Sequence, residues 1–148
     1  MRTILPSQAS AASGLAFLLC LFCHSVNAQE VDIDPQLADT VYFTRNSSQL
    51  SSEGQGALRL QAAWLTDHSA VTCALEGHTD EWGSPEWNIK LGQKRAETAR
   101  AFLIHLGIAP HRLTAISYGE DRPRALCKME QCWSYNRRVT TIITGGYQ

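Results

Sequence analysis

A strand that runs directly into a long, well-capped helix is the feature that most constrains how this 148-residue chain can fold. The alternating segment AVTCALEGH (70–78) predicts the strand, and the loop TDEWG separates it from SPEWN. Ser84 is a favourable N-cap residue and Pro85 fits the first helical position. We therefore predict a helix that begins after Ser84 and ends near Leu106, where Gly107 stops it.

The rest of the chain repeats this alternation of strands and helices. Ser52 with Gln55 three residues later forms a capping box, which predicts a first helix that ends near Thr66. Further strands are predicted at 40–44, 113–118 and 137–144. The order β-α-β-α-β with a final strand predicts an α+β fold, in which both long helices pack on one face of a single sheet.

The N-terminal segment has the composition of a cleavable signal peptide. It contains one base, Arg2, no acid, and an apolar run over 14–23. Such a run is too short for the ~20 residues that cross a bilayer. The small side chain of Ala28 favours cleavage before Gln29. The predicted organisation is a signal peptide at 1–28, a short segment at 29–39 and one domain at 40–148.

Charge and cysteine content narrow the class of protein. Removal of the signal leaves 12 basic and 14 acidic residues, a net charge of −2, which argues against a nucleic-acid partner. Three cysteines remain in an oxidising compartment. The close spacing of Cys127 and Cys132 predicts a disulfide, whereas Cys73 alternates with apolar residues and is expected to be a small buried side chain.

One face of the second long helix is unexpectedly polar. Its predicted buried stripe consists of Asn88, Leu91, Arg95, Ala99, Phe102 and Leu106. The polar half of this stripe lies nearest Asp80, so a pocket there would contain one negative and one positive group. Such a pair suits a zwitterionic ligand. The alternative is that Asp80 and Arg95 simply pair with each other.

Three ordered motifs resemble one known family. GHTDEWGSPEWNIKLGQKRAETARAFLIHLGI, then ISYGEDRP, then CWSYNRRV are similar to the OmpA-like C-terminal domain family, and most similar to its peptidoglycan-associated lipoprotein branch. The resemblance covers about Val41 to Ile143. It implies a domain without catalysis or a cofactor that binds peptidoglycan non-covalently and anchors or organises the Gram-negative cell envelope.

The resemblance also implies roles for individual residues. The ligand would be the diaminopimelate of the stem peptide, with Asp80 holding its amino group and Arg95 its carboxylate. The remaining implied pocket and rim residues are Thr79, Gly83, Asn88, Leu91, Arg137 and Arg138.

Departures from the family pattern concern how the protein is tethered. Cys20 follows Leu19 and Cys23 follows Phe22, so neither cysteine has the small preceding residues of a lipidation site. The expected location is the periplasm, with any outer-membrane association made through a partner and without a lipid. Arg45, which follows the first strand, would make the pocket rim more basic than usual.

Other interpretations of the sequence are a metal site and a protein-interaction module. Glu76, His78 and Asp80 alternate at a strand end and could in principle bind a metal, although no second cluster completes the set. The exposed-loop sequence EWGSPEW places Trp82 and Trp87 near the pocket. These tryptophans could bind an envelope protein such as a Tol, secretion or flagellar-motor component, although we favour their partial burial against the loop.

Overall fold

The computed structural model describes residues 39–146. Four strands form one sheet: β1 (Thr40–Tyr42), β2 (Thr72–His78), β3 (Leu113–Gly119) and β4 (Arg138–Gly145). Three α-helices connect them: α1 (Ser52–Asp67), α2 (Pro85–His105) and α3 (Glu130–Asn136). A short 3-10 helix, Pro110–Arg112, precedes β3.

The order of strands in the sheet is β1-β4-β2-β3. β4 is antiparallel to both β1 and β2, whereas β2 and β3 are parallel and are connected through α2. Both long helices contribute to one apolar core with the same face of the sheet, including Leu58 and Leu65 of α1, Ala99 and Leu103 of α2, and Leu75 of β2. The predicted α+β fold with both long helices on one face is therefore confirmed.

Local sequence signals located the helix ends with one error. Ser84 caps α2, since its Oγ accepts a hydrogen bond from the backbone N–H of Trp87 at 3.2 Å, and Gly107 has the positive φ (101°) expected after the helix. The predicted capping box of α1 is wrong. Ser51, not Ser52, is the N-cap, and its Oγ accepts from the N–H of Gly54 at 3.1 Å.

The buried stripe of α2 also differs from its prediction. Asn88, Arg95 and Ala99 are buried, but the three other predicted positions, Leu91, Phe102 and Leu106, are only partly buried. Gly92, Ala96 and Leu103 face the core in their place. The reason is the close approach of α2 to β2, where a Cβ on Gly77 would overlap the carbonyl oxygen of Gly92. Helical periodicity alone does not reveal this contact.

The predicted signal peptide and residues 29–38 lie outside the described residues. Within residues 39–146, no helix combines the length and apolar character needed to cross a membrane.

Candidate ligand-binding site

The loop between β2 and α2 buries a carboxylate. Asp80 is only 5% exposed. Its Oδ2 accepts a hydrogen bond from Nη1 of Arg137 at 3.1 Å, and its Oδ1 accepts one from the backbone N–H of Trp82 at 3.3 Å. The ion pair that Asp80 forms within the described region is with Arg137 rather than with Arg95. The direct Asp80–Arg95 pair considered as an alternative is therefore not formed.

Arg95 is completely buried and donates to three backbone carbonyls from two segments of the chain. Its Nε donates to the carbonyl oxygen of Ser47 (2.8 Å), Nη1 to that of His78 (2.9 Å) and Nη2 to that of Thr44 (3.1 Å). Burial lowers the pKa of Arg95 to about 10, although the nearby Asp80 opposes this shift. The guanidinium therefore keeps its charge at neutral pH. Nη1 and Nη2 each carry a second N–H group that takes no part in these three hydrogen bonds.

Arg137 places a second guanidinium beside Asp80. It lies at the junction of α3 and β4, and its Nε donates to the carbonyl oxygen of Phe43 at 3.1 Å. Its Nη2 donates to the exposed carboxylate of Glu130. Burial opposes the charge, but the hydrogen bonds that Arg137 donates to Glu130 and Asp80 outweigh burial and raise the pKa of Arg137. The buried cluster of Asp80, Arg95 and Arg137 therefore carries an excess of positive charge.

Polar atoms without a hydrogen-bond partner lie next to this cluster. They are the Thr79 Oγ1, the Asn88 Oδ1 and the Trp133 Nε1, all buried. Nδ2 of Asn88 donates to the carboxylate of Glu120. Because buried polar atoms in folded proteins nearly always have a partner, such a group indicates a place where a ligand or water is bound.

A cleft of about 240 Å³ opens beside these atoms. It is lined by Thr79, Glu81, Glu120, Pro123, Ala125, Leu126, Cys127, Trp133 and Asn136. Its polar residues come from the β2–α2 loop, the end of β3 and α3, so three separate parts of the chain meet there.

The structure brings most of the predicted site residues together, with two exceptions. Gly83 has a φ of +120°, and a Cβ there would lie 3.2 Å from Oδ1 of Asn88, so glycine permits the close turn. Leu91 is only partly buried on α2, and of the predicted ligand-binding residues Thr79 alone is part of the cleft wall.

Arg138 lies on the opposite face of the sheet. Its neighbour Val139 pairs with Gly77 on the helix side, so alternation directs Arg138 to the other side, where it donates to the carbonyl oxygen of Arg122 at 3.1 Å. The predicted rim position fits Arg137 but not Arg138.

Sequence reasoning missed three residues of the site: Glu120, Glu130 and Trp133. Glu120 lies within the quoted motif ISYGEDRP, but nothing in that motif indicates that its carboxylate bonds to Asn88. Glu130 and Trp133 belong to α3, which is not among the helices predicted above.

The cysteine assignments are confirmed. Cys127 and Cys132 form a disulfide with a Cα–Cα distance of 5.6 Å, and Cys73 is a buried free thiol. Burial raises the pKa of the Cys73 thiol despite the charge of Arg112, so this thiol is not activated as a nucleophile. The disulfide closes the segment before α3, and Cys127 is part of the cleft wall.

The metal trio considered as another interpretation does not assemble. Within residues 39–146, no group of three or more His, Cys, Asp or Glu side chains is arranged to hold a metal ion. Nε2 of His78 is 3.9 Å from Oε2 of Glu76, but Asp80 is directed to Arg137. The His78 ring stacks on Tyr118 on the helix-free face of the sheet.

His78 should make stability depend on pH. Burial, assisted by Arg138 and Arg122, lowers its pKa from 6.5 to about 4, although Glu76 favours the protonated form. Between pH 4 and pH 6.5, the unfolded chain therefore binds more protons than the folded chain does. The contribution of neutral His78 to the free energy of unfolding is present above pH 6.5 and is lost as the pH falls toward 4. We expect a loss of about 2 kcal/mol between pH 7 and pH 5.

Urea unfolding at both pH values measures this loss. His78→Gln should show a smaller difference between pH 7 and pH 5 than the parent. An unchanged difference would contradict the assignment to His78.

Trp82 and Trp87 are partly buried, as we favoured. They are 48% and 50% exposed, respectively, so about half of each residue remains open to solvent. Trp82 contacts the edge of Trp133, with ring centroids 5.4 Å apart, and the Arg45 guanidinium lies 4.6 Å from its ring centroid.

Fold and site together define a small α+β domain that contains a buried ionic cluster and a cleft. The model of the OmpA family matches residues 42–137, and the chain belongs to this family. A peptidoglycan-associated lipoprotein of Mesorhizobium japonicum is 41% identical over 114 residues, which cover 77% of this chain and 68% of that protein.

Solved structures agree with this assignment. The crystal structure of the peptidoglycan-associated lipoprotein from Burkholderia pseudomallei has a TM-score of 0.70 at 36% identity and covers 72% of this chain and 90% of that one. The C-terminal domain of Helicobacter pylori MotB has a TM-score of 0.68 at 22% identity and covers 72% and 84%. The second likeness concerns the fold alone.

Proposed function

We propose that this protein binds peptidoglycan non-covalently and so anchors or organises the Gram-negative cell envelope. The relatives named as peptidoglycan-associated lipoproteins support this proposal. The observation that carries it is the buried cluster of Asp80, Arg95 and Arg137, which has excess positive charge and lies beside polar atoms without partners. Such a cluster is stabilised when a bound ligand supplies the missing charged and hydrogen-bonding partners.

The diaminopimelate of the stem peptide suits this cluster. Its side-chain end carries both an ammonium and a carboxylate, which complement Asp80 and the two guanidiniums, respectively. We infer that the ligand carboxylate approaches the second N–H groups of Arg95 or Arg137, while the ammonium approaches Asp80. Thr79 and Asn88 would supply hydrogen bonds through the side-chain atoms that now have no partner.

Discrimination between wall types tests the proposal. Lysine carries the ammonium of diaminopimelate but not its second carboxylate, so a lysine-type wall would bring a further positive charge to the site without a carboxylate for the guanidiniums. We expect sedimentation with diaminopimelate-type sacculi to be at least about tenfold tighter than with lysine-type sacculi. Equal binding to both walls would contradict the proposed recognition, and no binding to either would contradict the function.

We also propose that the protein reaches the periplasm through cleavage between Ala28 and Gln29, without a lipid on Cys20 or Cys23. The basis is the small residue at the cleavage site and the absence of small residues before either cysteine. Association with the outer membrane would then require a partner. The intact mass of the exported protein distinguishes this form from a lipidated one.

A protein-interaction module is the second candidate function. The exposure of Trp82 and Trp87 favours it, because exposed aromatic side chains are common anchors of protein interfaces. Its partner would be an envelope protein such as a Tol component.

A further inference from the structure

One exposed segment interrupts the buried residues of the site. His78, Thr79 and Asp80 are buried, and so is Asn88, but every residue from Glu81 to Trp87 is exposed. Two tryptophans lie in this segment, and each has about half of its side chain in solvent. We call Trp82 and Trp87 the aromatic patch.

The aromatic patch is connected directly to the ionic site. The backbone N–H of Trp82 donates to the Asp80 carboxylate, and its ring contacts Trp133, a residue that lines the cleft. The backbone N–H of Trp87 donates to the N-cap Ser84. These contacts fix the backbone of both tryptophans and hold the Trp82 ring against the cleft wall before any ligand arrives, which reduces the entropic cost of binding.

We propose that the aromatic patch binds the sugar to which the stem peptide is attached. This inference rests on the proposed function and extends the site from the peptide to the glycan strand. The C–H groups on the faces of a pyranose ring carry partial positive charge and pack against the negative face of an indole. Two residues of the stem peptide connect diaminopimelate to the sugar, a reach of roughly 7 Å when extended. A sugar on this tether stays close to the ionic site when the peptide is bound.

The surroundings of the patch favour a sugar over a protein partner. The exposed charged residues Glu81 and Glu86 lie within the same segment, and Arg45 lies over the Trp82 ring. The core of a protein interface is depleted of charged residues, whereas a sugar presents many hydroxyl groups that charged side chains can bind. An aromatic surface with a charged border therefore suits a hydroxyl-rich ligand.

Calorimetry with two soluble probes tests the inference. The first is the tripeptide that ends in diaminopimelate, and the second is the same tripeptide attached to its N-acetylated disaccharide. The parent protein should bind the disaccharide-tripeptide about fivefold more tightly than the free tripeptide. The combined variant Trp82→Ala/Trp87→Ala should lose this preference while its affinity for the free tripeptide stays within about twofold.

Two further variants serve as controls. Trp82→Phe/Trp87→Phe keeps aromatic faces and should retain most of the preference. Leu60→Ala removes an exposed apolar side chain from α1 and should behave as the parent does.

Each outcome distinguishes the inference from the proposed function. Equal affinity of the parent for both probes would overturn the inference and leave the function intact. A variant that loses affinity equally for both probes would assign the tryptophans to the peptide site, and a variant that retains the full preference would favour a protein partner; either result overturns the inference. Failure of the parent to bind the free tripeptide would instead contradict the proposed function.

Discussion

Replacing Arg95 with alanine is expected to lower the free energy of unfolding by about 3–4 kcal/mol. The side chain is completely buried and donates to three backbone carbonyls from two different segments of the chain, so its removal leaves three acceptors without a donor and creates a cavity. Relief of burying the guanidinium charge offsets part of this loss. Urea unfolding monitored by circular dichroism gives the value.

Two variants control for the removal of charge. Arg59→Ala removes an exposed arginine of α1 and should change stability by at most about 0.5 kcal/mol. Arg95→Lys retains the charge, but one ammonium cannot reproduce the planar arrangement of donors, so most of the loss should remain. A loss below about 1 kcal/mol for Arg95→Ala would show that the three carbonyls find other donors.

The parts of the fold that depend on local chemistry could be predicted from the sequence. Ser84 and Gly107 act within one helical turn, so the ends of α2 follow from neighbouring residues. The register of its buried face could not be predicted. It depends on the contact between Gly77 and Gly92, and the pattern of apolar residues contains no information about that approach.

The sequence allowed us to predict the central charged residues of the candidate site, but not which of them form an ion pair. The polar half of the α2 stripe correctly indicated that Asp80 and Arg95 lie in one polar region. The partner of Asp80 is Arg137, which is 57 positions away and is brought there by the pairing of β4 with β2. Residue spacing cannot identify a partner selected by sheet topology, and for the same reason it could not separate Arg137 from Arg138.

Asp80→Asn should lower the affinity for the tripeptide that ends in diaminopimelate by about 3 kcal/mol, which is over a hundredfold. The substitution keeps the size of the side chain but removes the negative charge that would balance the ligand ammonium. It also leaves Arg137, among the residues that the structure describes, with only the exposed Glu130 as an anionic partner. Calorimetry measures the loss, and Asp67→Asn, which removes an exposed carboxylate at the end of α1, should have no effect.

A double-mutant cycle separates ligand recognition from a purely structural ion pair. Asp80 is ion-paired with Arg137 and not with Arg95. If Asp80 and Arg95 hold the two ends of one ligand, Asp80→Asn/Arg95→Gln should therefore lose much less affinity than the sum of the single losses, because either change alone already disrupts the bound zwitterion. Unfolding of each variant must remain cooperative for the comparison to hold. If Asp80→Asn folds and binds the tripeptide as tightly as the parent does, the Asp80 carboxylate serves only to hold Arg137 in place. The zwitterion would then have to bind at another position.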